Sequence, residues 1–116
     1  MLEIAIVLGL LATLAGGATV LALAPDLVLL GGFWLVVGGL GFGVPTGLVY
    51  HVLLHRSLRA AGRLPPRWWL HPTALHGALP ARDRTRVLAW CGAGALGFAA
   101  TVLGCALVAI SALRAA

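Results

Sequence analysis

Apolar residues along this chain come in three long blocks, without the polar punctuation of a soluble fold. Residues 4–25, 27–55 and 87–113 hold no Asp, Glu, Lys or Arg. Each block exceeds the roughly 20 residues that an α-helix needs to cross a hydrocarbon core of about 30 Å. The pattern predicts an all-α polytopic membrane protein with three transmembrane helices in a single membrane domain. They are expected over residues 2–24, 27–60 and 81–113, with a short amphipathic interfacial segment at 61–80 between the second and third.

Local signals mark the joints. Pro25-Asp26 is a turn and cap signal that predicts a tight reversal, with the first two helices packed as an antiparallel hairpin. The second helix is overlong: about 20 residues inward from Asp26 reach only Thr46, so residues 47–63 are expected to tilt along the headgroups or protrude past them. Pro45 removes one backbone hydrogen bond and is where a kink belongs. Gly62 reads as the helix C-cap and Pro65-Pro66 as the stop. Trp68 and Trp69 suit the membrane boundary, where an indole keeps its ring apolar and its N–H wet. From His71 to His76, with Pro72 in the first turn, one or two helical turns are expected on the surface. Pro80 then opens the third helix, with Asp83 near its positive amino end. Ala22-Leu23-Ala24 mimics a secretory cleavage site. Glu3 in place of an amino-terminal cation, the length of the apolar block and the adjacent Pro25 instead favour a membrane helix.

Small residues recur at every fourth position: Ala5, Gly9, Thr13 and Gly17 in the first helix, Gly39, Gly43 and Gly47 in the second, and Ala89, Ala93, Gly97, Thr101, Cys105 and Ala109 in the third. Lipid supplies little hydrophobic force between helices, so such faces matter because they let backbones approach and make dispersion contacts. Gly39, Gly43, Gly47, Ala93, Gly97 and Thr101 are the expected packing positions.

Composition agrees with the pattern: 61% of the residues are hydrophobic and only 9% charged, against about 25% charged in a soluble domain. The net charge of +5 is unevenly placed. All the arginines but Arg114 lie in one run, as Arg56, Arg59, Arg63, Arg67, Arg82, Arg84 and Arg86. By the positive-inside rule this run is cytoplasmic, which puts the amino terminus inside and the carboxyl terminus outside a bacterial inner membrane. Topology and anionic headgroups account for these cations, so no nucleic-acid partner is expected. With Trp68 and Trp69 they form the expected surface for docking a partner or lipid.

The candidate chemistry is concentrated in residues 47–79, which contain all four histidines. His51 and His55 stand four apart, about 6 Å along a helix, a spacing that can bring two imidazoles to one metal. His71 and His76 are placed to close over them. Such a set suits zinc, copper, a di-iron centre or another transition metal, or one or two axial ligands of haem b. Tyr50 and His51 beside the tryptophans would suit a quinone or lipid headgroup. Interfacial histidines also serve as structural hydrogen-bonding groups, without any ligand. Three spans and a histidine near a helix end resemble the membrane-anchor subunits of succinate dehydrogenase-type complexes, which bind haem b and quinone. That resemblance is architectural, because their His-x-x-x-Gly-x-Arg-His type signature is not in the chain. Gly47 four residues before His51 is similar to the pigment-ligating spacing of light-harvesting polypeptides, which normally have one span. Cys91 and Cys105, about 21 Å apart along one helix, cannot form a disulfide together and read as packing residues. Ser57, Ser111 and the threonines have no recognisable base, and no charged residue lies deep in a span to mark an ion path.

These features lead to one expectation: a small, non-catalytic membrane subunit that packs with lipids and with other subunits or copies of itself. A haem- or metal-binding redox subunit and a quinone- or lipid-binding subunit are the alternatives.

Overall fold

The computed structural model describes residues Met1–Ala116 and contains only helices. Helix α1 spans Leu2–Ala22, α2 Pro25–Ala60 and α3 Ala81–Ala115; all three are long and apolar enough to cross a membrane. Two short 3₁₀ segments, Trp68–Leu70 and Pro72–Ala78, connect α2 to α3. At 1.5 Å per residue, the 21 residues of α1 come to roughly 31 Å, and the 36 and 35 residues of α2 and α3 to roughly 54 and 52 Å. Helix α1 therefore matches a hydrocarbon core, and α2 and α3 overshoot one by about 20 Å.

Helices α2 and α3 form an antiparallel pair with a seam made largely of glycine. A Cβ added at Gly32 would stand 2.9 Å from the carbonyl oxygen of Gly104, and one at Gly104 2.7 Å from that of Gly32. Gly39 sits equally close to Gly97 and Thr101, while Gly43 lies against Gly97 and Gly47 against Gly94. Both ends of the pair are closed by serine hydroxyls. Ser111 Oγ donates to the Pro25 carbonyl at 2.7 Å, and Ser57 Oγ donates to Asp83 Oδ2, also at 2.7 Å.

The seam departs from the every-fourth-residue stripe expected on α3. Ala89, Cys105 and Ala109 are exposed, and the positions turned to α2 include Gly94, Gly97, Thr101, Gly104 and Ser111. A step of four turns a 3.6-residue helix by about 40° too far, so a strict stripe winds off the interface; alternating steps of three and four hold the face. The same drift takes His51 and His55 off the seam. Tyr50, Leu54, Ser57 and Leu58 are the buried residues at this end of α2.

The expected hairpin of the first two helices is not formed. No residue of α1 is buried, and a Cβ added at Gly9, Gly16 or Gly17 would meet nothing within 4 Å. The glycine face of α2 is already taken by α3, and no hydrophobic force drives a further helix onto it in lipid. What holds α1 is Arg114, from the far end of the chain. Its guanidinium donates to the carbonyls of Val20, Leu21 and Leu23 at 2.9, 3.1 and 3.0 Å. These are carbonyls that the end of a helix leaves without an intrahelical donor, at the negative pole of its dipole. Toward α3, a cleft of about 710 Å³ opens between Thr13, Gly16 and Gly17 on one side and Leu103, Ala106 and Leu107 on the other.

Helix α2 runs unbroken through Pro45 to Ala60, and its last three turns stay packed against α3. Its end is a Schellman motif. The Arg63 N–H reaches the Leu58 carbonyl at 2.9 Å and the Gly62 N–H reaches that of Arg59 at 3.1 Å, with Gly62 at φ +66°, a conformation that suits glycine because it has no Cβ.

Candidate functional site at the arginine-rich end

Past the glycine seam, the overshooting ends of α2 and α3 and the returning 3₁₀ segments enclose the one cluster of large buried side chains: Tyr50, Leu54, Leu58, Leu79 and Val87. Leu64, Trp68, Leu75 and Trp90 pack around it. The Pro65-Pro66 stop turns the chain back, and Pro72 begins the second 3₁₀ segment. That segment carries Leu75 and His76 onto α2, and Leu79 follows directly after it.

The histidines are divided among different tasks. His76 Nε2 shares a 2.7 Å hydrogen bond with the buried Tyr50 hydroxyl, tying the second 3₁₀ segment to α2. His51 Nδ1–H donates to the Gly47 carbonyl at 2.8 Å, so in its neutral form Nε2 is the unprotonated nitrogen. Trp68 lies over both His51 and His55, with ring centroids 6.2 and 5.1 Å away. His71 is exposed and stands apart. No three His, Cys, Asp or Glu side chains come together as they would around a metal ion. Within the chain, neither His51 nor His55 has the further His, Cys, Asp or Glu neighbours that would complete a ligand set of three. Tyr50, proposed from the sequence as a quinone contact, is 5% exposed, with its hydroxyl hydrogen-bonded to His76.

The two adjacent tryptophans also differ. Trp68 turns inward over the histidines, and Trp69 is 58% exposed.

The seven arginines of this end are all exposed, but they are not equivalent. Arg63 donates to the Ala78 carbonyl at 3.1 Å and Arg84 to that of Gly77 at 3.4 Å, which closes the carboxyl end of the second 3₁₀ segment. Arg82 Nε lies 3.8 Å from Asp83 Oδ2. Arg56, Arg59, Arg67 and Arg86 have no hydrogen-bonding or ionic partner in the chain. Two of these, Arg56 from α2 and Arg86 from α3, line one groove of about 240 Å³ whose other walls are Leu53, Ala60, Val87 and the Ser57–Asp83 pair. The sequence places Asp83 near the amino end of α3 but not its bond to Ser57, since 26 residues separate them. Ser57 bridges the two helices, its hydroxyl held by the Asp83 carboxylate.

No protein-family model, curated protein or solved structure matches this chain.

Proposed function

We propose that this chain is a small non-catalytic subunit of the bacterial inner membrane that packs into a larger membrane assembly. In this reading the arginine-rich end and the amino terminus face the cytoplasm and the carboxyl terminus faces outward, as the asymmetry of positive charge favours. The observation that carries the proposal is the isolation of α1. It has the small-residue composition of a packing helix, buries nothing within its own chain, and is held to the α2–α3 pair by one guanidinium at its end. A helix so tethered keeps its approximate position while leaving its flanks to a neighbouring helix. The division of the arginines adds to this: Arg63 and Arg84 stabilise the cap, and Arg56, Arg59, Arg67 and Arg86 remain for an anionic partner or headgroup.

The test is gentle detergent extraction from native membranes, followed by mass determination of the intact complex. A photo-crosslinking residue at Gly16 is expected to capture a neighbouring subunit or a second copy of this chain. Migration as a monomer, with no protein crosslinked or co-purified, overturns the proposal.

A further inference from the structure

The groove between Arg56 and Arg86 has the polarity of a phospholipid. Leu53 lies about one turn toward the seam from Arg56, and Val87 follows Arg86 directly on the same side, so the groove has apolar walls toward the seam with the two guanidiniums beside them. Its depth also fits. Arg56 comes about 30 residues after Asp26, roughly 45 Å along α2, and Arg86 about 28 residues before Arg114, roughly 42 Å along α3. A bilayer measured through its headgroups is about 40–45 Å thick, so a helix with one polar end at the outer headgroups brings these guanidiniums to the inner ones.

We propose that this groove holds the phosphodiester of one anionic glycerophospholipid with a hydroxyl-bearing headgroup, its phosphate between Arg56 and Arg86. The inference rests on the reading above that this end lies at the cytoplasmic leaflet. Two guanidiniums without protein partners, approaching from different helices, present paired N–H donors suited to phosphate oxygens. Asp83 determines which phosphate. Ser57 donates to its Oδ2 and Arg82 lies beside the same oxygen, leaving Oδ1 to accept from a headgroup hydroxyl. The carboxylate also repels the second charge of a phosphomonoester, so phosphatidylglycerol is favoured over phosphatidic acid. The surrounding excess of arginine disfavours the ammonium of phosphatidylethanolamine.

Native mass spectrometry of the full chain, titrated with phosphatidylglycerol, phosphatidic acid and phosphatidylethanolamine, tests this. Phosphatidylglycerol is expected to bind first and at one site. Arg56→Gln with Arg86→Gln should weaken it roughly tenfold or more, while Arg59→Gln with Arg67→Gln, an equal loss of charge outside the groove, should change it less than about twofold. Asp83→Asn should move the preference toward phosphatidic acid. Circular dichroism of each variant checks that it is folded, and a variant that is not is replaced by the single substitution Arg86→Gln. Equal weakening by both pairs overturns the specific groove while leaving a diffuse basic docking face. Competition by inorganic phosphate at similar concentration assigns the site to a soluble anion and overturns the lipid. No preference for any anionic lipid overturns the groove and weakens the cytoplasmic-docking reading with it, whereas the crosslinking at α1 reports on subunit packing independently.

Discussion

The same two helices, α2 and α3, are held together in two unlike ways along their length. From Gly32–Gly104 to Gly47–Gly94 the contact is backbone against backbone, with glycine or threonine at each closest point. From Tyr50 to Leu58 the contact is large side chains, with Leu54 and Leu58 fully buried. The change comes about 25 residues into α2, roughly where a hydrocarbon core of about 30 Å, measured from Pro25, has already ended. Within lipid, burying a leucine between helices gains little over leaving it among acyl chains, so close approach and dispersion decide. Where water enters, removing apolar surface from solvent stabilises by about 25 cal/mol per Å² and outweighs the other contributions, so a leucine-rich core forms. In the proposed membrane placement, the overshoot of α2 and α3 is a small unit at the water-facing end of the helix pair, closed by the 3₁₀ segments.

The largest effect is expected at Gly97, in the glycine seam. Gly97→Leu puts a branched side chain where the Gly43 backbone and the Gly39 carbonyl stand, neither of which can rotate away. The loss is expected at or above the upper end of the 1–3 kcal/mol typical of overpacking, with the α2–α3 pair separated along its seam. Unfolding in detergent, followed by a cysteine crosslink across the seam, reads it; Gly92→Leu, where nothing lies within 4 Å, is the matched control and should change stability by less than about 0.5 kcal/mol. A Gly97→Leu protein as stable as that control would refute the account of the seam.

Leu58→Ala strikes the other region. A fully buried leucine in a side-chain core should cost about 2–5 kcal/mol, concentrated on the cap, while the seam persists. Limited proteolysis within residues 61–80 and tryptophan fluorescence should report the loosening, with helix content little changed. Leu40→Ala, at a 48% exposed site within the hydrocarbon-length part of α2, should have a much smaller effect. Similar losses at the two leucines would remove the distinction between the solvents.

Tyr50→Phe is the subtlest test. It keeps the ring in the core and deletes the hydroxyl bonded to His76, for an expected loss of about 1 kcal/mol. Faster amide hydrogen exchange in the second 3₁₀ segment, with unchanged exchange along the seam, is the expected signature. Unaltered exchange there would mean that Leu75 and Leu79 alone hold the segment.

Much of the architecture was legible along the chain, for reasons specific to each element. The spans were visible because a charge inside hydrocarbon is expensive, so charge-free runs outline them. Gly62, Pro65 and Pro66 ended α2 because backbone geometry is a local property. The candidate site was visible as a concentration of histidine, tryptophan and arginine. The division of labour within it was not, since which imidazole meets Tyr50 and which arginines remain unpaired depend on how residues 61–80 fold back.

The isolation of α1 shows the boundary most clearly. Its small-residue stripe is indistinguishable in sequence from those of the helices that do pack, and the two-residue connection to α2 suggested an intimate hairpin. Pairing is a competition among faces, and α3 occupies the face of α2 that α1 would need. Arg114, Ser111 and Ser57 each act on partners 26 to 94 residues distant, and no local pattern encodes such reach. By itself, the sequence determined the spans, their ends and the site of positive charge, because these follow from local transfer energies and backbone conformation. The tertiary structure alone decided which glycines meet, where the hydrophobic core forms and which side chains are left free, because those outcomes depend on register between helices and on which groups compete for the same surface.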